Sequence, residues 1–180
     1  MFIPRLTAPS NTDLKWINTA YGGYNQCILG YPSYGYGSVL ADCTGYRWGR
    51  TLENLNRTSC NLSINQAAIW YLNTGDGYAR STTTPTLGAI ACWDDGGSGH
   101  VAVIEEITYS GGIPVSCTIS ESNYGGAFFQ TATIYRSNNW QRWPGYTFQG
   151  FIIIPISTDL DVETLAAIIN KKRKKKVIIQ

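Results

Sequence analysis

Pro85 divides this chain by hydrophobic period. On its C-terminal side apolar residues recur at every second position in short runs, and Leu87–Trp93, His100–Tyr109, Val115–Ser120, Gln130–Tyr135 and Gly150–Ile154 read as strands. Several of the connectors are short and Gly-rich: Asp94-Asp95-Gly96-Gly97-Ser98, Ser110-Gly111-Gly112 and Tyr124-Gly125-Gly126. A parallel pair needs a crossover of about a dozen residues or more, so the spacing predicts an antiparallel sheet.

Before Pro85 the period is helical. Asn11-Thr12-Asp13 supplies a cap for a helix carrying Leu14, Ile17 and Tyr21 on one face and stopping at Gly22-Gly23. Tyr24 to Gly37, rich in Gly, Tyr and Ser, predicts an irregular surface loop. A second helix is expected from Asp42 or Cys43 toward Asn56, with Gly45 and Gly49 four apart. Each of these costs about 1 kcal/mol against Ala unless another backbone comes close to that face. Ser63, with Gln66 three residues on, predicts a third helix over Ile64–Leu72 that ends near Gly75. Helices followed by an antiparallel sheet make an α+β domain.

The chain has 180 residues, which suits one domain. We place it at residues 1–155, with residues 156–180 as an appended helix, capped at Thr158, and a basic tail. Six of the fourteen basic residues lie in Lys171–Lys176, so the remaining eight face twelve acidic ones and the body is mildly acidic. That argues against nucleic acid running over the domain, where a broad basic face is needed. The tail reads as a solvated end, as an attraction to anionic wall polymers or a membrane surface, or as a link to a further domain. Met1-Phe2-Ile3-Pro4-Arg5 lacks the pattern of a secretory signal, so export by that route is not expected.

Cysteines at 27, 43, 60, 92 and 117 are odd in number and contain no C-x-x-C pair, which fits neither a disulfide framework nor a zinc site. Cys92 and Cys117 lie in apolar strand-like runs and read as core residues. Cys43 sits at an expected helix start, where unpaired N–H groups and the helix dipole lower a thiol pKa. The chain has one histidine, His100, at the start of a strand. Glu121 and Asn123, two apart at the end of the next strand, share a face, and an antiparallel hairpin brings that end close to His100. A Glu121 carboxylate there can accept from the imidazole and hold its tautomer. An activated thiol, a base and a group orienting the base are what nucleophilic catalysis by cysteine requires. The plainer alternative is an inert cysteine and an ordinary surface or core histidine.

Four stretches add a resemblance. Asp42-Cys43-Thr44-Gly45-Tyr46-Arg47-Trp48-Gly49-Arg50 resembles the nucleophile motif of CHAP domains, the cysteine- and histidine-dependent amidohydrolases/peptidases. Pro85–Trp93 is similar to their strand before the histidine, and Gly99–Glu105 to the histidine motif. Glu121-Ser122-Asn123 resembles the Glu-x-Asn that follows in phage lysins of this family. The matches come in the right order and cover about residues 20–155. Ala89 departs from the pattern, where many members carry Asp, and is expected to affect packing or loop anchoring.

The resemblance implies a papain-like α+β fold, with N-terminal helices packed on a C-terminal antiparallel sheet, and cleavage of an amide bond in bacterial peptidoglycan. It implies Cys43 as nucleophile, His100 as base and later acid, Glu121 orienting the imidazole and Asn123 in support. Cys27 is the rival nucleophile but lacks the Tyr/Trp/Arg helix signature after it. Tyr46, Trp48, Trp93, Tyr124 and Trp140 are candidates to line a substrate groove; the core is an equally good place for Trp48 and Trp93. No cofactor or metal is expected: some phage members bind calcium before the cysteine, but Gly30 to Leu40 has no carboxylate here. The phage likeness implies action from the host cytoplasm on the wall, or a place in the virion. A non-catalytic wall-binding or structural virion module of the same fold is the alternative, and a host peptidase or transglutaminase-like enzyme a third.

Overall fold

The computed structural model describes residues 2–27, 37–123 and 126–156. An α-helix, α1 (Cys43–Leu55), precedes six strands: β1 (Ala79–Ser81), β2 (Ile90–Asp94), β3 (His100–Ser110), β4 (Ile113–Glu121), β5 (Gln130–Tyr135) and β6 (Thr147–Ile153). They form one sheet in the order β1-β6-β2-β3-β4-β5, every neighbouring pair antiparallel. β6 enters between β1 and β2, so the last strand closes against the first two. The C-terminal helix expected from Thr158 and the Lys171–Lys176 run lie outside the described residues.

The architecture is α+β, with one α-helix among the described residues where three were expected before the sheet. Residues 11–21 form two 3-10 turns, Leu14–Trp16 and Thr19–Tyr21, instead of one helix. Ile17 between them is extended and bridges Ser38, and the Asn18 side chain accepts from the Ala20 N–H, starting a new turn. The helix expected over 64–72 is reduced to a 3-10 turn at Ala67–Ile69. Ser63 Oγ accepts from the Asn65 N–H at 3.2 Å, a local turn that competes with the capping box. β1 was not foreseen; it is a three-residue edge strand paired through Ser81 with Phe151.

The α1 helix follows its sequence signals. Asp42 caps it, its Oδ1 accepting from the Gly45 N–H at 2.7 Å and the Thr44 hydroxyl at 2.6 Å. Asn56, at φ 51°, ends it in the left-handed conformation that Asn tolerates. Every residue from Cys43 to Thr51, and Leu52, is buried, so packing holds this helix more than propensity does. Trp48 and Leu52 meet Ile90, Cys92, Val101 and Ile152, while Tyr46 meets Trp16, Val39 and Val103. The opposite face of the sheet packs Ala91, Trp93, Ala102, Ile104, Ile119 and Phe151 under Trp140. Period-two alternation along β2 and β3 deals these residues to the two faces.

Gly45 and Gly49 are where backbone comes close. A Cβ at Gly49 would stand 2.6 Å from the Trp16 indole nitrogen and 2.7 Å from the Lys15 carbonyl oxygen; one at Gly45 would stand 2.6 Å from the Val39 carbonyl oxygen. Ala is the better helix former by about 1 kcal/mol, but overpacking against backbone outweighs that, so Gly49→Ala is expected to cost about 2 kcal/mol net. Urea unfolding of the variant reads this loss; a gain in stability would show that the neighbouring backbone can move away.

Candidate active site

Three element ends meet at one place: the start of α1, the start of β3 and the end of β4. A cavity of about 850 Å³ opens there, with Cys43, His100 and Asn123 in its lining. Asp42, Thr44, Gln66 and Ala67, the turn residues Asp95, Ser98 and Gly99, and Trp143, Pro144 and Tyr146 complete the lining.

Cys43 is the first residue of α1 and 9% exposed. Burial, then the neighbouring Asp42, push its thiol up to about 12, against backbone N–H groups of Val101, Thr44 and Cys43 itself. The depressed pKa expected from a helix start is therefore not what this site has: desolvation wins over the dipole. At neutral pH the resting group is a thiol, and attack by sulfur requires a base that removes the proton. Asp42 is itself raised by burial, offset by bonds from Thr44 and Gly45.

His100 supplies a base of defined orientation. Its Nε2 lies 3.0 Å from Glu121 Oε2. Glu121 is fully buried, and its other oxygen accepts from Gln130 Nε2 at 2.8 Å and from Arg142 Nε at 3.1 Å and Nη2 at 2.7 Å. Burial raises a carboxyl, but the bonds and charge of His100 and Arg142 overcome it and hold Glu121 below the usual carboxylate range. An ionised carboxylate only accepts, so the neutral imidazole must carry its proton on Nε2, leaving Nδ1 as the acceptor. The ring is braced by Trp143 edge-on at 4.6 Å and by Trp93 at 6.1 Å.

The structure thus brings Cys43, His100, Glu121 and Asn123 to one region. The Asn123 backbone closes the turn after β4, the N–H donating to Ala127 O at 2.9 Å, and its buried Oδ1 has no hydrogen-bond partner among the described residues. It lines the cavity beside His100.

The aromatic expectations need correction. Tyr46, Trp48, Trp93 and Trp140 are buried core residues and do not line the cavity. The Tyr46 hydroxyl bonds Ser120 Oγ at 2.7 Å, Trp48 Nε1 donates to Leu62 O at 3.4 Å, and Trp93 Nε1 to Trp140 O at 2.9 Å. Each polar handle is used inside the fold, which is how buried Tyr and Trp are accommodated. Tyr124 lies outside the described residues, as does most of the Gly30–Leu40 stretch. Cys27 is 1% exposed, its thiol donating toward Ser63 O at 3.9 Å, with burial raising its pKa strongly; it is absent from the cavity lining. Cys92, Cys117 and Ala89 are fully buried in the core.

Arg142, Trp143 and Tyr146 escaped the sequence reading. The signal was there in Gln141-Arg142-Trp143-Pro144-Gly145, a cation and an aromatic against a Pro-Gly turn between two strands. Gln130 follows from the β4–β5 register, which pairs it with Glu121.

A family model for the CHAP domain matches residues 31–123, just over half of the chain. The chain is also similar to the N-acetylmuramoyl-L-alanine amidase sle1 of Staphylococcus aureus strains USA300, NCTC 8325 / PS 47 and COL. In each it is 24% identical over 148 residues, covering 76% of this chain and 40% of the relative. The chain therefore aligns with well under half the length of these curated relatives. No solved structure matches. With the family model spanning α1, β3 and the end of β4, the elements that converge on the cavity, the chain belongs to the CHAP domain family.

Proposed function

We propose that this domain hydrolyses an amide bond of bacterial cell-wall peptidoglycan, with Cys43 as nucleophile. The observation that carries the proposal is a buried thiol on a cavity that also exposes a histidine whose far nitrogen is committed to a buried carboxylate. Family membership and the amidase activity named for the Staphylococcus aureus relatives support the substrate class.

The chemistry follows from protonation states. As the Cys43 sulfur attacks the amide carbonyl carbon, its proton passes to His100 Nδ1, and Glu121 stabilises the imidazolium through Nε2. The tetrahedral oxyanion takes the Cys43 backbone N–H, one of the amide groups at a helix start without an intrahelical partner. His100 then gives its proton to the leaving nitrogen, the C–N bond breaks, and a thioester with the free amine remains. Water, deprotonated by His100, opens the thioester to a carboxylic acid and restores the thiol. The Glu121-Ser122-Asn123 run, similar to phage lysins, favours a phage source, either released onto the wall from the host cytoplasm or carried in the virion.

Mass spectrometry of fragments released from defined walls tests the reaction and names the bond. A muramoyl–alanine amidase frees peptides with N-terminal alanine and intact sugar chains; an endopeptidase creates N-termini within the stem or bridge. Walls bound without any new N-terminus would replace the enzyme by a non-catalytic wall-binding module.

A further inference from the structure

The Glu121 carboxylate has more partners than a histidine orienter requires. Oε2 serves His100, while Arg142 directs both Nε and Nη2 at Oε1, with Gln130 as a neutral third donor. The guanidinium fork therefore fixes the carboxylate's rotation and leaves Oε2 for the imidazole. The next residue acts on the imidazole itself. Arg142 Cζ lies 4.3 Å from the Trp143 ring centroid, and the Trp143 ring meets His100 edge-on at 4.6 Å. The loop bearing this pair is held in turn: Gln141 Nε2 donates to Trp143 O and Tyr146 O, and Trp140 O accepts from the Trp93 indole of β2.

We propose that Arg142 is a positioning residue of this site: it holds the Glu121 carboxylate from the side opposite His100 and thereby sets which imidazole nitrogen faces Cys43. This rests on the reading of Cys43, His100 and Glu121 as the reacting group. Trp143, stacked on the guanidinium and also lining the cavity, makes the same loop a brace for the base and a wall for substrate. The charged groups bearing on Glu121 are His100 from β3 and Arg142 from the loop; Asp42 at the start of α1 bears on the pair from the His100 side. Glu121 is held low, so its carboxylate charge is present above its folded midpoint and is lost as pH falls through it. Without the Arg142 charge that loss comes at a higher pH.

The chain's single histidine makes the test direct, because the imidazole nitrogen resonances need no residue assignment and Nδ1 and Nε2 are told apart by their couplings to the ring protons. In wild type, ¹⁵N NMR of the neutral imidazole is expected to show one tautomer, protonated on Nε2. Arg142→Gln is expected to show a mixture of both tautomers and an acidic limb of the wall-clearing rate moved up by about one pH unit. Arg142→Lys, which keeps the charge without the fork, restores the acidic limb. Arg142→Met, neutral and similarly long, serves if the Gln variant does not fold. A wild-type tautomer together with an unmoved acidic limb in the neutral variants overturns the proposal, since a merely structural Arg142 would lower only the amount of folded protein. If wild type clears no walls, the hydrolase reading fails while the tautomer measurement still decides the role of Arg142.

Discussion

Replacing Cys43 with Ala or Ser is expected to lower the rate of wall hydrolysis by about 10⁴-fold or more, the scale on which removal of a nucleophile acts. The fold should survive. Cys43 is 9% exposed at the first position of α1, and the cap comes from Asp42, not from the thiol. Thermal unfolding of the Ser variant should therefore stay close to that of wild type. The matched control is Cys27→Ala: Cys27 is absent from the cavity lining, so the variant keeps its activity per folded molecule. Turbidity clearing by wild type and the three variants, beside sedimentation of Cys43→Ser with purified walls, separates catalysis from binding. Full clearing by either Cys43 variant would sink the nucleophile assignment. Because the resting thiol sits near 12, iodoacetamide labelling of Cys43 in the free protein should also be slow near neutral pH. Rapid labelling there would mean that His100 already holds the thiol proton before substrate arrives.

The parts of this site that sequence made visible are those set by chain order and periodicity. A cap followed by a helical run placed Cys43 at the start of α1, and alternation placed His100 at the head of β3 with Glu121 at the tail of β4. Two properties depended on distance in space and were not visible. The first is desolvation: a helix start argues for a depressed thiol, but only the packed structure shows Cys43 buried beside Asp42, which reverses the direction. The second is which aromatics face inward. Trp48 and Trp93 look the same in sequence whether they line a groove or fill a core, and the hydrogen bonds to Leu62 and Trp140 that settle the matter cross between separate segments. The short 3-10 turns replaced expected helices for a local reason that was legible but underweighted. Asn18 and Ser63 bond their own neighbouring backbone, and each such bond competes with helix propagation. Arg142 belongs to the same class as the tryptophans, since nothing in its neighbours announces a carboxylate 21 residues away.

The largest effect on stability is expected away from the cavity, at Glu105. Its carboxylate is fully buried on β3 and accepts from Arg50 Nε at 3.0 Å, Arg50 Nη2 at 2.7 Å, Ser120 Oγ at 2.7 Å and the Arg5 backbone N–H at 2.8 Å. Arg50 is 3% exposed on α1 and also reaches Glu53 and the Ile3 carbonyl. One carboxylate thus ties the helix, the sheet and the N-terminal segment together. Glu105→Ala removes it and leaves a buried guanidinium with only a part-exposed carboxylate, which costs about 3–5 kcal/mol for a broken buried pair. At roughly 2–4 °C per kcal/mol for a domain of this size, the melting temperature should fall by about 6–20 °C. The loss is of a charge balance more than of a contact, so removing both partners should hurt less than removing one. Arg50→Met with Glu105→Met is expected to recover much of the deficit, because two apolar side chains leave no unpaired ion behind. Glu105 and Ser120 lie on the helix face of the sheet, whereas His100 and Glu121 follow the alternation of the other face. Activity per folded molecule of Glu105→Ala should therefore persist below its melting point. A variant that melts with wild type would show that Arg50 finds enough charge in Glu53 alone; one that melts normally but is inactive would place Glu105 in the reaction instead of the scaffold.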